Sequence, residues 1–179
     1  MKNQEKVIKF TIFSIVFVAI LGTLLHFSFE WSNDNLLVGA FSAVNESTWE
    51  HLKLLFFPML ITTILGYFYI GKDLSVFLCA RVFGIISAIL FTIIFFYTYS
   101  GILGTNISFL NIATFYIAVI TGEYISYKVM LSNLACNNSR AIISLVLLFF
   151  CFIFFTYFPP KIGLFKVPLI NGYGIIPKD

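Results

Sequence analysis

The residues best equipped for chemistry stand together at 45–53, NESTWEHLK, where Glu46, Ser47, Trp49, Glu50, His51 and Lys53 crowd a short stretch. His26 lies upstream, at the end of an apolar run. Two carboxylates and two imidazoles are the donor set that a zinc or manganese ion takes. The same groups would serve a substrate or proton site at a membrane surface. The spacing argues first for something local. Ser47 and Glu50 make S-x-x-E ahead of an apolar run, a capping box. The Ser47 hydroxyl is expected to accept from the Glu50 N–H, and the Glu50 carboxylate to return to the Ser47 N–H, so that a helix starts at Thr48. Glu50 then also faces the positive end of the helix dipole. Trp49 and Lys53 are i,i+4, which allows a cation–π contact. No H-E-x-x-H or similar spacing supports a metal. The expectation is therefore a capped helix start with an interfacial ion pair, with no metal and no cofactor, ahead of a substrate or proton site and, last, a metal site.

A second pair is more telling because of where it sits. Arg81 falls about two turns after the start of one long apolar segment and Glu123 about two turns before the end of the next; as the two should run antiparallel, both are expected in the same half of the bilayer. Either charge alone would be costly in lipid. Small residues recur every four positions beside both: Ala80, Gly84 and Ala88, then Ala118, Gly122 and Ser126. Such faces let two helices approach closely. A buried ion pair, Arg81 with Glu123, is expected, and a register-fixing role is favoured over a transport or catalytic one. Lys128 is the rival partner, but it can reach the membrane surface.

These residues need elements that cross a bilayer. The chain is 60% hydrophobic and 11% charged, against roughly half and a quarter in soluble domains. Five apolar segments, 7–27, 51–70, 75–98, 107–130 and 141–158, are long enough to span hydrocarbon about 30 Å thick. The fold expected is an all-α integral membrane protein, a single five-helix transmembrane domain over 1–179, with an irregular, proline-rich tail at 159–179. The stretch 35–44 is apolar but too short to cross, and reads as interfacial or re-entrant. The basic start and first apolar run lack a cleavage signature, so the first helix is read as retained. Pro58 should bend its helix and free the Leu54 carbonyl.

Orientation follows the Lys/Arg bias. Lys2, Lys6, Lys9, Lys72, Lys128 and Arg140 fall at one set of ends, whereas the loop after the first helix carries Glu30 and Asp34 with no Lys or Arg. The N-terminus is expected in the cytoplasm and the C-terminus outside, with Lys161, Lys166 and Lys178 in the tail as mild exceptions. The apolar tail should fold back over the outer ends and cover the 45–53 cluster. Cys79, Cys136 and Cys151 show no paired spacing and read as small apolar fillers. The basic residues sit at helix ends rather than in a patch, which argues against nucleic acid and leaves lipid as the expected partner.

Three segments, HFSFEWS at 26–32, AVNESTWEHLKLLFFP at 43–58 and FTYFPPKIGLFKVPLINGYGI at 155–175, resemble a family of small bacterial membrane proteins known only as a domain of unknown function. The resemblance covers nearly the whole chain and implies multi-pass topology with no assigned activity. Where that family's tail more often carries an acid before a proline, this chain has Val167. Function is then read in order as a structural or accessory subunit, bound to another membrane protein or to its own copies, as a small transporter using Arg81 and Glu123 with Asn111 and Thr114, or as an enzyme using the outer Glu/His cluster. Five helices without a detectable repeat argue against an inverted-repeat carrier.

Overall fold

A computed structural model describes residues 2–168 and 172–175. The chain opens with α1, Lys2–Trp31, which outruns the expected 7–27 at both ends. An i,i+4 pair, Glu5 with Lys9 at 2.6 Å, supports its exposed first turns. It stops where Asn33 (φ 54°) and Asp34 (φ 57°) enter the left-handed region, which these two residue types tolerate better than others. Asn35 accepts from the Leu37 N–H at 2.9 Å and caps α2, Leu36–Gly39, a single turn. The stretch 35–44 therefore does not cross the layer.

Helix α3, Thr48–Tyr69, starts on Ser47, whose side chain accepts from the Glu50 N–H. Pro58 lies inside it. The carbonyl that Pro58 cannot bond belongs to Leu54, and α1 packs against it through Gly22, where a Cβ would lie 2.5 Å from that oxygen. Helix α4, Phe77–Leu103, passes the expected end at 98 because the first left-handed residue is Gly104, at φ 68°. Then follow α5, Ser108–Met130, and α6, Asn138–Tyr157, capped by Asn137 on the Arg140 N–H at 3.0 Å.

Helices α1, α3, α4, α5 and α6 are long and apolar enough to cross a membrane. Several charges lie inside the bundle while large apolar side chains face out. Arg81, Glu123 and Lys53 are 0% exposed, while Phe68, Ile94 and Phe150 are 67%, 63% and 62% exposed. Every long helix carries exposed large apolar side chains, as a helix facing lipid would. Among the five, α3 is the most buried and α6 the least. The core forms around Leu52, Phe56 and Met59 of α3, with Val18, Ile85 and Phe152 from its neighbours.

Helices α4 and α5 also cross backbone to backbone. A Cβ on Gly84 would lie 2.6 Å from the Gly122 carbonyl oxygen, and one on Gly122 would lie 2.7 Å from that of Gly84. Only two glycines allow this approach, and it brings Arg81 and Glu123 level with one another.

Two expectations need correction. Cys79 and Cys136 are not independent apolar fillers: a disulfide joins them, with Cα atoms 5.8 Å apart, and only Cys151 is free. Their separation of 57 residues hid this, because spacing alone carries no pairing information. The tail also does less than expected. A 3₁₀ turn, Gly163–Phe165, and a bridge between Lys166 and Tyr173 organise it. It packs on one side of the bundle end that holds the start of α3, Phe165 against Trp49 at 4.7 Å, and Asn45 Nδ2 donates to the Gly174 carbonyl at 2.8 Å. Glu46 stays 61% exposed, so these described tail residues leave it uncovered. Leu169, Ile170, Ile176 and Lys178, read from the sequence as part of the tail, lie outside the described residues.

Candidate functional site

Adjacent residues on a helix diverge by about 100°, and this divides the 45–53 cluster into two centres. Glu50 points into the bundle. Its carboxylate meets Lys53 Nζ at 2.6 Å and accepts from the Val44 N–H at 3.1 Å. It does not return to Ser47 as a capping box requires. The Ser47 N–H is taken instead by Asn45 Oδ1 at 2.8 Å, which frees Glu50 for the interior. The other half of the box is present, a long bond of 3.4 Å from the Glu50 N–H to Ser47 Oγ.

Lys53 is fully buried, and each of its three ammonium hydrogens has an acceptor: Glu50, the Gly39 carbonyl at 2.7 Å and Thr156 Oγ1 at 2.9 Å. Thr156 also lies 3.2 Å from Glu50 Oε1. One ammonium thus ties the turn at α2, the start of α3 and the end of α6. Trp49 stacks on Phe152 at 4.6 Å as well as on Phe165, so its ring serves aromatic packing rather than the expected contact with Lys53.

His51 points the other way, toward α1. Its Nε2 lies 3.2 Å from His26 Nε2 and 3.4 Å from Glu46 Oε2, and Glu46 Oε1 is 3.9 Å from His26 Nε2. One ligand atom from each of the three lies within 4.8 Å of the others. Glu50 is absent from this group, because Lys53 holds it on the opposite side. The two imidazoles are half-buried and the carboxylate is exposed.

The third centre sits at the other end of the bundle. Arg81 Nη1 meets Glu123 Oε2 at 2.5 Å and Nη2 meets Oε1 at 2.9 Å, a two-pronged pair. Around it, Nε donates to Thr63 Oγ1 at 3.0 Å, Nη2 to Thr62 Oγ1 at 2.9 Å and Nη1 to Ser126 Oγ at 3.3 Å. Ser14 of α1 donates to Glu123 Oε1 at 2.7 Å. The network is closed: each guanidinium nitrogen has a partner. Lys128, the rival, is exposed. Asn111 and Thr114 do not join it. Asn111 bonds Tyr99 and Asn106, and Thr114 bonds its own helix at Leu110.

Sequence reasoning passed over Ser14, Thr62, Thr63 and Thr156. Hydroxyl residues in an apolar helix usually bond their own preceding turn, as Thr63 and Thr156 also do here, and so carry little signal alone. The usable clue was depth, since each lies on the same level as a buried charge.

Fold and sites together define a helical bundle with five helices long and apolar enough to cross a membrane and with charge pairs buried among its apolar core. The chain belongs to a family of unknown function, DUF6512, whose model matches residues 1–175. Comparisons with curated proteins and with solved structures return no match.

Proposed function

We propose that this is a multi-pass protein of the cell membrane, N-terminus cytoplasmic and C-terminus outside, that works as a structural or accessory subunit rather than as a carrier. One observation supports the subunit reading above the others: the charges buried at 81, 123, 50 and 53 are consumed by contacts with one another and with neighbouring hydroxyls and carbonyls. A carrier needs such groups to face a path that opens to water. Arg81 and Glu123, with Ser14, Thr62 and Thr63, instead tie four helices, α1, α3, α4 and α5, in register. The partner is a second copy or another membrane protein, met through the apolar outer faces.

Water access separates the readings. A cysteine placed at Ser126, in a background lacking the native cysteines, should resist a water-soluble thiol reagent in intact membranes. Ready modification there would favour a path and overturn the subunit reading. Native mass spectrometry from bilayers should then find an assembly heavier than the 20.4 kDa chain. A monomer alone would also count against it. Orientation rests on the basic residues at one set of ends. In whole cells an impermeant reagent should reach a cysteine at Asn33 but not one at Asp73.

A further inference from the structure

We propose that His26, Glu46 and His51 form a binding site for a divalent transition metal of the zinc class, with an open coordination position facing out of the bundle. The proposal does not depend on the subunit reading.

The geometry carries it. Zinc held at about 2.0–2.1 Å by tetrahedral ligands keeps those ligand atoms about 3.3–3.4 Å apart. The two imidazole nitrogens are 3.2 Å apart, and the Glu46 oxygen facing His51 is 3.4 Å from its nitrogen. His26 is faced by the other carboxylate oxygen, Oε1, at 3.9 Å, so a rotation of the exposed Glu46 side chain is what brings one oxygen to both imidazoles; one ligand atom from each residue already lies within 4.8 Å of the others. Without an ion, two imidazole Nε2 atoms can share only one proton between them, whereas a cation between them satisfies both lone pairs at once.

The second shell favours the same tautomer. His51 Nδ1 is 2.9 Å from the Ser47 carbonyl and donates to it, which leaves the lone pair on Nε2, the atom that faces His26 and Glu46. His26 Nδ1 is buried without a hydrogen-bond partner, so behind the site its ring is backed by packing, on Phe27 and His51, and not by a hydrogen bond. One supported imidazole and one unsupported imidazole describe an exchangeable site rather than a closed structural one. Glu50 cannot enter as a fourth ligand, because Lys53 and Val44 hold it inside. Three protein ligands, one of them an exposed carboxylate, therefore leave a position for water. Two nitrogens and one oxygen select zinc and its neighbours over calcium and magnesium, which prefer all-oxygen shells.

The test uses the full chain, purified in detergent and stripped with a chelator. Zinc competed against a chromogenic chelator should bind at one ion per chain. Cobalt should give the intense visible absorption of a four-coordinate site, unchanged by millimolar magnesium. The variants His51→Gln, His26→Gln and Glu46→Gln should each weaken binding on the order of tenfold to a hundredfold, a scale seen already for partners outside the ligand set, while Glu5→Gln leaves it unchanged. Should a histidine variant misfold, the exposed Glu46→Gln variant and the cobalt spectrum of the unaltered chain still decide. No stoichiometric zinc, a six-coordinate cobalt spectrum, or an affinity in Glu46→Gln and His51→Gln equal to that of the unaltered chain would overturn the proposal.

Discussion

Replacing Arg81 by leucine removes both guanidinium contacts from Glu123, at 2.5 and 2.9 Å, and leaves its carboxylate with the Ser14 hydroxyl. Stranding one partner of a buried pair costs about 3–5 kcal/mol. Against a total stability of about 5–15 kcal/mol, that is enough to lower folded protein sharply. Removing Glu123 as well should reverse much of the loss. Thr62 and Thr63 keep the Met59 carbonyl at 3.0 and 2.7 Å, and Ser14 keeps Thr62 Oγ1 at 3.0 Å, so these hydroxyls stay bonded. What remains is a cavity term of about 1–2 kcal/mol for the smaller leucines. The double variant Arg81→Leu with Glu123→Leu should therefore regain at least half of what the single variant loses. Titration from dodecyl maltoside into sodium dodecyl sulfate, followed by circular dichroism, reads the difference. A double variant no more stable than the worse single one would refute the argument that the pair acts as a unit.

The α4–α5 crossing should be intolerant of a methyl group: Gly84→Ala meets the Gly122 carbonyl and should destabilise by about 1–3 kcal/mol, whereas Gly101→Ala, with nothing within 4 Å, should be neutral or better in the same titration. Ser47→Ala removes the hydroxyl that caps α3 and should cost about 1 kcal/mol by thermal unfolding. The Cys79–Cys136 disulfide bears on orientation: alkylation with a permeant maleimide before lysis should find the pair opened to two thiols in cells, the disulfide forming only on exposure to oxidant. Their end of the bundle is cytoplasmic on the proposed orientation, and thiols there are kept reduced; recovery of the intact disulfide would place that end outside.

Apolar runs long enough to cross a bilayer made the five long helices legible, because the backbone in lipid has few alternatives to a helix. The α4–α5 crossing was legible for a related reason: small residues every fourth position and one charge beside each row specify a face and a depth. Contacts between segments without a shared period were not legible. Thr156 reaching Lys53 and Cys79 reaching Cys136 depend on how the helix ends are stacked, which no local pattern encodes. The half-made capping box shows the same limit. S-x-x-E describes Ser47 and Glu50 correctly as a helix start, but the sequence cannot show that Asn45 takes the Ser47 N–H at 2.8 Å and frees the carboxylate for Lys53.

That exchange ties the two outer centres together. With Asn45 on the Ser47 N–H, the Glu50–Lys53–Thr156 contacts clamp the first turn of α3 to α2 and α6 from the inside, and Trp49, stacked between Phe152 and Phe165, clamps it from a second side. His51 is carried on that same turn and faces the remaining side, toward α1. The rigidity of a ligand is set by what packs behind it rather than by the ligand itself. A buried ammonium with every hydrogen satisfied is an expensive way to hold a helix end if position alone is needed, since apolar packing does it as well or better. Its directional bonds fix rotation about the helix axis as well as depth. Fixing that rotation keeps His51 Nε2 aimed at His26 and Glu46, so the buried pair and the open histidine group are two faces of one positioned turn.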